Sequence, residues 1–241
     1  MDSLTFLVVA LISGAIAGTV LGLVNLVLVE PYLDKAIGIE VQNAINEGEQ
    51  VDKIEHVNYR FWQKGGEIVA GTILGMSFGA LLGIVFAFGR KIIPGSNVKK
   101  ALVLSGVIWL VVFMIPAIKY PANPPTIGDP DTIEYRDSLF VSFILISGFA
   151  ALGLAILYSK WNSKASLKFM VVSVIYTVVM VGAFIAVPSN PDKITAPMDL
   201  VNGFRIMTIT TMTMFWIILG ITFGLLWERL KPNERTEFRT A

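Results

Sequence analysis

The chain has 241 residues, 54% hydrophobic and only 15% charged, against about 25% charged in soluble domains, and its mean hydropathy is +0.69. A net charge of +1 hides basic and acidic loops and by itself says little about a nucleic-acid partner, and no nucleic-acid role is expected of a membrane composition. With no cysteine and one histidine, disulfides, thiolate metal sites and CxxC redox chemistry are excluded, and so little is left for acid–base catalysis that an enzyme is the least supported class.

About 20 apolar residues cross a bilayer, and six runs approach that length, near 4–29, 66–89, 101–118, 138–158, 167–187 and 204–227. Three times an apolar run gives way to a polar loop marked by proline, an aromatic–Arg pair (Tyr59-Arg60, Tyr135-Arg136, Phe204-Arg205) and a second apolar run. The pattern predicts an all-α integral membrane protein with six transmembrane helices arranged as three hairpins, in a single transmembrane domain over 1–241. The first run has no Lys or Arg before it and ends at Val29-Glu30-Pro31, so it reads as a span and not as a secretory signal.

The segment 30–64 is too patterned for a plain loop. Ile37, Val41, Ala44 and Ile45, then Val51, Ile54 and Val57, recur at helical spacing with Gly48 between the two sets, which predicts one or two short amphipathic helices on the outer surface. Their polar face is acidic, unlike that of a lipid-seeking helix, so packing on the protein or on a partner is expected. The third run contains Pro116 near its end and is expected to stop or kink there. The connections 90–100 and 159–168 carry Lys and Arg without an acid, which places them, both termini and the tail 228–241 in the cytoplasm of a multi-pass protein of the inner or plasma membrane.

Gly14, Gly18 and Gly22 in the first run, and Gly71, Gly75, Gly79 and Gly83 in the second, make continuous small faces. Small residues let membrane helices approach closely. Packing within the first hairpin, a subunit interface and a narrow backbone-lined path all remain open. In the last run Met207, Thr211 and Met214 share a face. Thioethers suit monovalent copper, but the expected reading is packing, with each Thr bonding back to its own helix.

Ionisable groups gather toward the outer side. Glu30 closes the first run and Glu67 opens the second, with Asn25 one turn deeper; structural roles and an ion-entry role are both open there. Asp129, Asp131 and Glu134 bring three carboxylates into six residues but lack the Gly and distal Glu of an EF-hand loop, so a solvated turn and helix start is the expected reading. His56 stands four residues after Asp52 and could share a metal ion with it. The metal-ligand candidates are therefore Asp129, Asp131, Glu134, Glu30, Glu67 and His56. Arg60, Arg136 and Arg205 occupy equivalent positions and suggest one structural job done three times, either anchoring to headgroup phosphate or pairing with Glu30, Asp129 or Asp199.

Three stretches resemble the CbtA family of cobalt-transporter subunits. They are Leu-Val-Glu-Pro-Tyr at 28–32, Lys-Tyr-Pro-Ala-Asn-Pro-Pro-Thr-Ile-Gly-Asp-Pro-Asp-Thr-Ile at 119–133, and Phe-Arg at 204–205 leading to Phe-Trp-Ile-Ile-Leu-Gly and Leu-Leu-Trp-Glu-Arg at 225–229. The resemblance implies a cytoplasmic-membrane protein associated with vitamin B12 synthesis and with a small partner, CbtB, that carries a His-rich segment. Relatives have more histidine in the first outer loop, where this chain has His56 alone, so a partner would supply further ligands. The expected function is a membrane subunit that takes up a divalent ion, cobalt by resemblance. Outer carboxylates would concentrate the ion and a path would follow the glycine-faced helices. No tightly bound cofactor is expected. No nucleotide-binding motif is present, so a gradient or an energising partner is required. The expected partners are membrane lipid and a CbtB-like protein or other complex subunits. The alternative is a non-transport scaffold or accessory subunit of a larger membrane complex, favoured by the scarcity of buried charge.

Overall fold

In hydrocarbon every backbone N–H and C=O has to find its partner within the protein, so apolar runs of this length fold as helices. The computed structural model describes residues 3–48, 53–125 and 127–231, without the side chains of 53–56. Among these residues there is no strand. The helices are α1 (Ser3–Leu28), α2 (Glu30–Asn46), α3 (Lys53–Gly89), α4 (Asn97–Ile108), α5 (Ile115–Lys119), α6 (Ile133–Lys160), α7 (Ala165–Ala186) and α8 (Met198–Leu230). A π-helical segment, Trp109–Met114, joins α4 to α5, and a 3₁₀ turn, Pro130–Thr132, leads into α6. Six helices are long and apolar enough to cross a membrane, the third being the continuous stretch Asn97–Lys119.

The outer segment differs in detail from its expected form. Its first apolar set lies on α2, which starts after the single residue Val29 and carries Pro31 in its first turn, where a missing N–H is harmless. Of the second set, Ile54 and Val57 lie in the outer turns of α3, which runs unbroken through Gly65 and Gly66 into its membrane part; Val51 lies outside the described residues.

Contacts divide the chain into two compact units. The first contains residues 1–107, 123–126 and 196–241, and within it α1 packs against α3 and α8. All seven glycines of the two small faces are used inside this hairpin. A Cβ on Gly75 would fall 2.7 Å from the Gly18 Cα, one on Gly79 3.0 Å from the Gly14 Cα, and one on Gly22 2.7 Å from the Ile68 Cα. Thr19 and Thr72 hydroxyls bond across the same seam at 2.8 Å. Of the three readings of these faces, packing within the hairpin is the one realised. The expected ion path along the glycine-faced helices is corrected, because backbones in contact leave no lumen between α1 and α3.

On the other side of α8, Gly220 and Gly224 admit α4. An added Cβ would lie 3.0 Å from the Leu102 Cα at Gly220 and 3.0 Å from the Val98 nitrogen at Gly224. The Ser105 hydroxyl donates to the Trp216 carbonyl. Phe86, Phe223 and Trp227 stack into one buried aromatic group, with the Arg90 guanidinium 5.0 Å from the Trp227 ring. The start of α4 is capped by Ser96 Oγ, which accepts from the Lys99 N–H, and by the Glu228 carboxylate, which accepts from the Asn97 and Val98 N–H groups. The methionine–threonine face of α8 behaves as a packing face: Thr208, Thr210, Thr211 and Thr213 each donate to a carbonyl of their own helix.

The second unit contains residues 108–122 and 127–195. In it α6 packs on α7 and on the π segment with α5. Pro116 neither ends the third span nor leaves it a plain α-helix. The six π-helical residues precede it and the helix continues to Lys119. The loop 187–197 joins α7 of this unit to α8 of the first.

Candidate functional site

One end of the first unit is organised by charge. Glu30 and Asp34 stand one turn apart on α2, and Arg60 and Lys64 stand one turn apart on α3, so both pairs present to the facing helix. One Arg60 nitrogen, Nη2, donates to both carboxylates, at 2.5 Å to Glu30 and 2.8 Å to Asp34. Lys64 Nζ bonds Asp34 at 2.8 Å and lies 3.9 Å from Glu30. Glu30 is buried, its side chain only 5% exposed, whereas that of Asp34 is 48% exposed. Partial burial pushes the Asp34 carboxyl upward, but hydrogen bonds and charge from Lys64 and Arg60 outweigh this and hold it below its ordinary 3.8. Gln63 accepts a further Arg60 bond at 2.6 Å.

Glu30, Arg60 and Gln63 of this network also border an open cleft of about 560 Å³. Glu30, Glu40, Arg60 and Glu67 line it together with the apolar Leu33 and Ile37. Asn25 bonds to Glu67, but the Asn25 Oδ1 and Glu67 Oε2 atoms are sealed from solvent with no donor in reach.

Each of the three arginines bonds to residues outside its own helix. Arg60 ties α2 to α3; Arg136 donates to the Ile127 and Asp129 carbonyls and pairs with Asp192 at 3.0 Å; Arg205 donates to Asn123 Oδ1 at 2.7 Å. Each stands in the opening turns of its helix and reaches to another outer segment. Of the expected carboxylate partners, Glu30 is realised for Arg60; Asp129 is met through its carbonyl, and Asp192 takes the side-chain role. Gly128, at φ +103°, lets its loop pass against Arg136 and Asp192, where a Cβ would collide with the guanidinium.

The expected metal ligands are not gathered. Among the described residues no three His, Cys, Asp or Glu side chains converge on a point. Asp129 caps the 3₁₀ turn by accepting from the Asp131 N–H at 3.0 Å, and Asp131 and Glu134 are exposed on that turn and the start of α6. This is the turn and helix start that the sequence suggests. Glu30 is neutralised by Arg60, Glu67 stands beside Asn25, and the His56 side chain lies outside the described residues. Sequence reading missed Asp34 and Lys64, although their spacing of four from Glu30 and Arg60 was a usable signal. It also missed Asp192 and Asn123, whose partners lie far along the chain and leave no local signature.

Six helices long and apolar enough to cross a membrane, with Glu30, Glu40 and Glu67 lining a cleft at one end of the first unit, define a multi-pass helical membrane protein. The chain belongs to the CbtA family, described as "Probable cobalt transporter subunit (CbtA)", which it matches over residues 4–228. It is thus a cobalt-transporter subunit that works with other subunits. No curated protein and no solved structure matches the chain.

Proposed function

We propose that this subunit takes cobalt in from the outer face through the cleft between α2 and α3, with both termini in the cytoplasm and no catalytic step of its own. The observation that carries the reading is the charge in and around the cleft: Glu30, Asp34, Glu40 and Glu67 outnumber Arg60 and Lys64 by two negative charges. That surplus matches one divalent cation, and a low-dielectric wall of Leu33 and Ile37 strengthens its field. Exposed Asp129, Asp131 and Glu134 would raise the cation concentration at the outer surface. A carboxylate-only site binds late first-row ions less well than imidazole does, so a small CbtB-like partner rich in histidine would complete the ligand set.

The test is uptake of radiolabelled cobalt by cells expressing the chain with and without such a partner, beside Glu67→Gln and Asp129→Asn variants. Saturable uptake that falls at least tenfold in Glu67→Gln and less in Asp129→Asn supports entry through the cleft. Uptake unchanged in Glu67→Gln refutes it. No carriage of cobalt, nickel or zinc, with the partner complex still assembled, would favour the scaffold reading.

A further inference from the structure

Pro116, near the end of the third span, creates a choice of hydrogen-bond register. Proline has no N–H and its ring crowds the carbonyl four residues earlier. With i→i−4 bonding around it, the carbonyl left without a donor is that of Val112. With i→i−5 bonding, the orphan is the carbonyl of Val111. The segment adopts the second register: the Ile115 N–H bonds to the Leu110 carbonyl, five residues back. The Val111 carbonyl then receives the Ser147 hydroxyl from α6 at 2.6 Å, and Ser147 is completely buried. Tyr176 of α7 lies 2.7 Å from Ser147 Oγ. A serine hydroxyl has one proton, and here it goes to Val111, so Tyr176 O–H is the donor to Ser147.

We infer that the segment Trp109–Met114 is a two-register switch, and that Ser147, supported by Tyr176, is the latch that selects its π form. The inference rests on the transport reading for its use but not for its geometry. Ser147 reaches the one carbonyl that is orphaned in this register alone, so losing it removes the discrimination between registers and not merely a contact. A change of one residue in register turns the adjoining helix by about 100°, enough to exchange the face that α5 presents. π-Helical insertions of this type recur at functional sites.

The absence of cysteine makes the test direct. Spin labels on Val103→Cys and Ile118→Cys, both exposed positions flanking the segment, report its register through double electron–electron resonance in lipid. Ser147→Ala should shift the balance between two distance populations about tenfold, the worth of one hydrogen bond, and Tyr176→Phe should shift it the same way by less. Cobalt uptake should fall in both while membrane insertion stays intact. A single distance distribution, identical in wild type, Ser147→Ala and Tyr176→Phe, would overturn the switch whatever the uptake result. If the distances shift but the wild-type chain carries no cobalt, the transport reading falls and the switch stands.

Discussion

Replacing Arg60 by Gln would leave Glu30 buried, with Lys64 at 3.9 Å as its remaining cation. Removing one member of a fully buried pair destabilises by about 3–5 kcal/mol, because the other charge stays desolvated and uncompensated. Arg60 is 13% exposed and Glu30 5%, and Lys64 can move closer, so the expected loss is about 2–3 kcal/mol, below that range. For a chain of this length this lowers the melting temperature by roughly 5–10 °C. Arg60→Gln/Glu30→Gln removes both charges and should recover about 2 kcal/mol of that loss as a coupling energy in the double-mutant cycle. Lys64→Gln, acting on the exposed side of the network, should change stability by no more than about 1 kcal/mol. Thermal unfolding of the detergent-purified protein, followed by tryptophan fluorescence, reads wild type, Arg60→Gln, Glu30→Gln, their combination and Lys64→Gln. If Arg60→Gln melts within about 0.5 kcal/mol of wild type, or the two substitutions simply add, Arg60 does not hold α2 on α3 and the argument from burial fails.

The glycine seam gives a contrast between two alanines. Gly75→Ala would set a methyl 2.7 Å from the Gly18 Cα and should destabilise by about 1–3 kcal/mol, whereas Gly153→Ala, which meets nothing within 4 Å, should stabilise by up to about 1 kcal/mol through helix propensity; thermal melts rank the two. Glu228→Ala frees the Asn97 and Val98 N–H groups, and a loss of about 1 kcal/mol with faster hydrogen exchange at those two amides is expected. Acid should loosen the α2–α3 contact. Asp34 is held below 3.8, so its contribution is complete above its unfolded pKa and disappears as pH falls through the lower folded value; melting curves from pH 6 to pH 3 should therefore decline more steeply in wild type than in Lys64→Gln.

The helices were legible because hydrophobic length alone forces them, and the glycine faces because a spacing of four keeps small residues on one side of a helix. Boundaries were less so. The helices α6 and α8 begin at Ile133 and Met198, several residues before their apolar runs at 138 and 204, since hydropathy registers the lipid-facing part and is blind to polar helix that continues into water. Helical spacing did mark Ile54 and Val57 in the opening turns of α3, but not that those turns run unbroken into the apolar part of the helix. Pro116 was visible, but the consequence depended on Ser147, a residue 31 positions away whose hydroxyl selects the register. The candidate site divides along the same line. Glu30 and Arg60 were visible because each stands out at the edge of an apolar run, whereas Asn123 and Asp192 look like ordinary loop residues until the fold carries them to Arg205 and Arg136.

The three arginines also bear on how an ion could enter. A guanidinium is always charged and offers donors in a fixed fork, so an arginine that reaches from a membrane helix to an outer segment fixes that segment wherever partner oxygens are held in place. Arg136 meets two backbone carbonyls and one carboxylate, that of Asp192, and Arg205 meets an amide oxygen. Arg60 is different. Its Nη2 sits between two carboxylates, where a divalent ion would compete for the same oxygens with twice the charge. A divalent ion would therefore compete with Arg60 for two carboxylates at once, and Arg60 also lines the cleft. Arg60→Lys separates anchoring from exchange: lysine keeps the charge but loses the fork, so the melting temperature should fall by less than in Arg60→Gln while cobalt uptake changes by severalfold. Equal uptake in wild type and Arg60→Lys would make Arg60 an anchor like the other two.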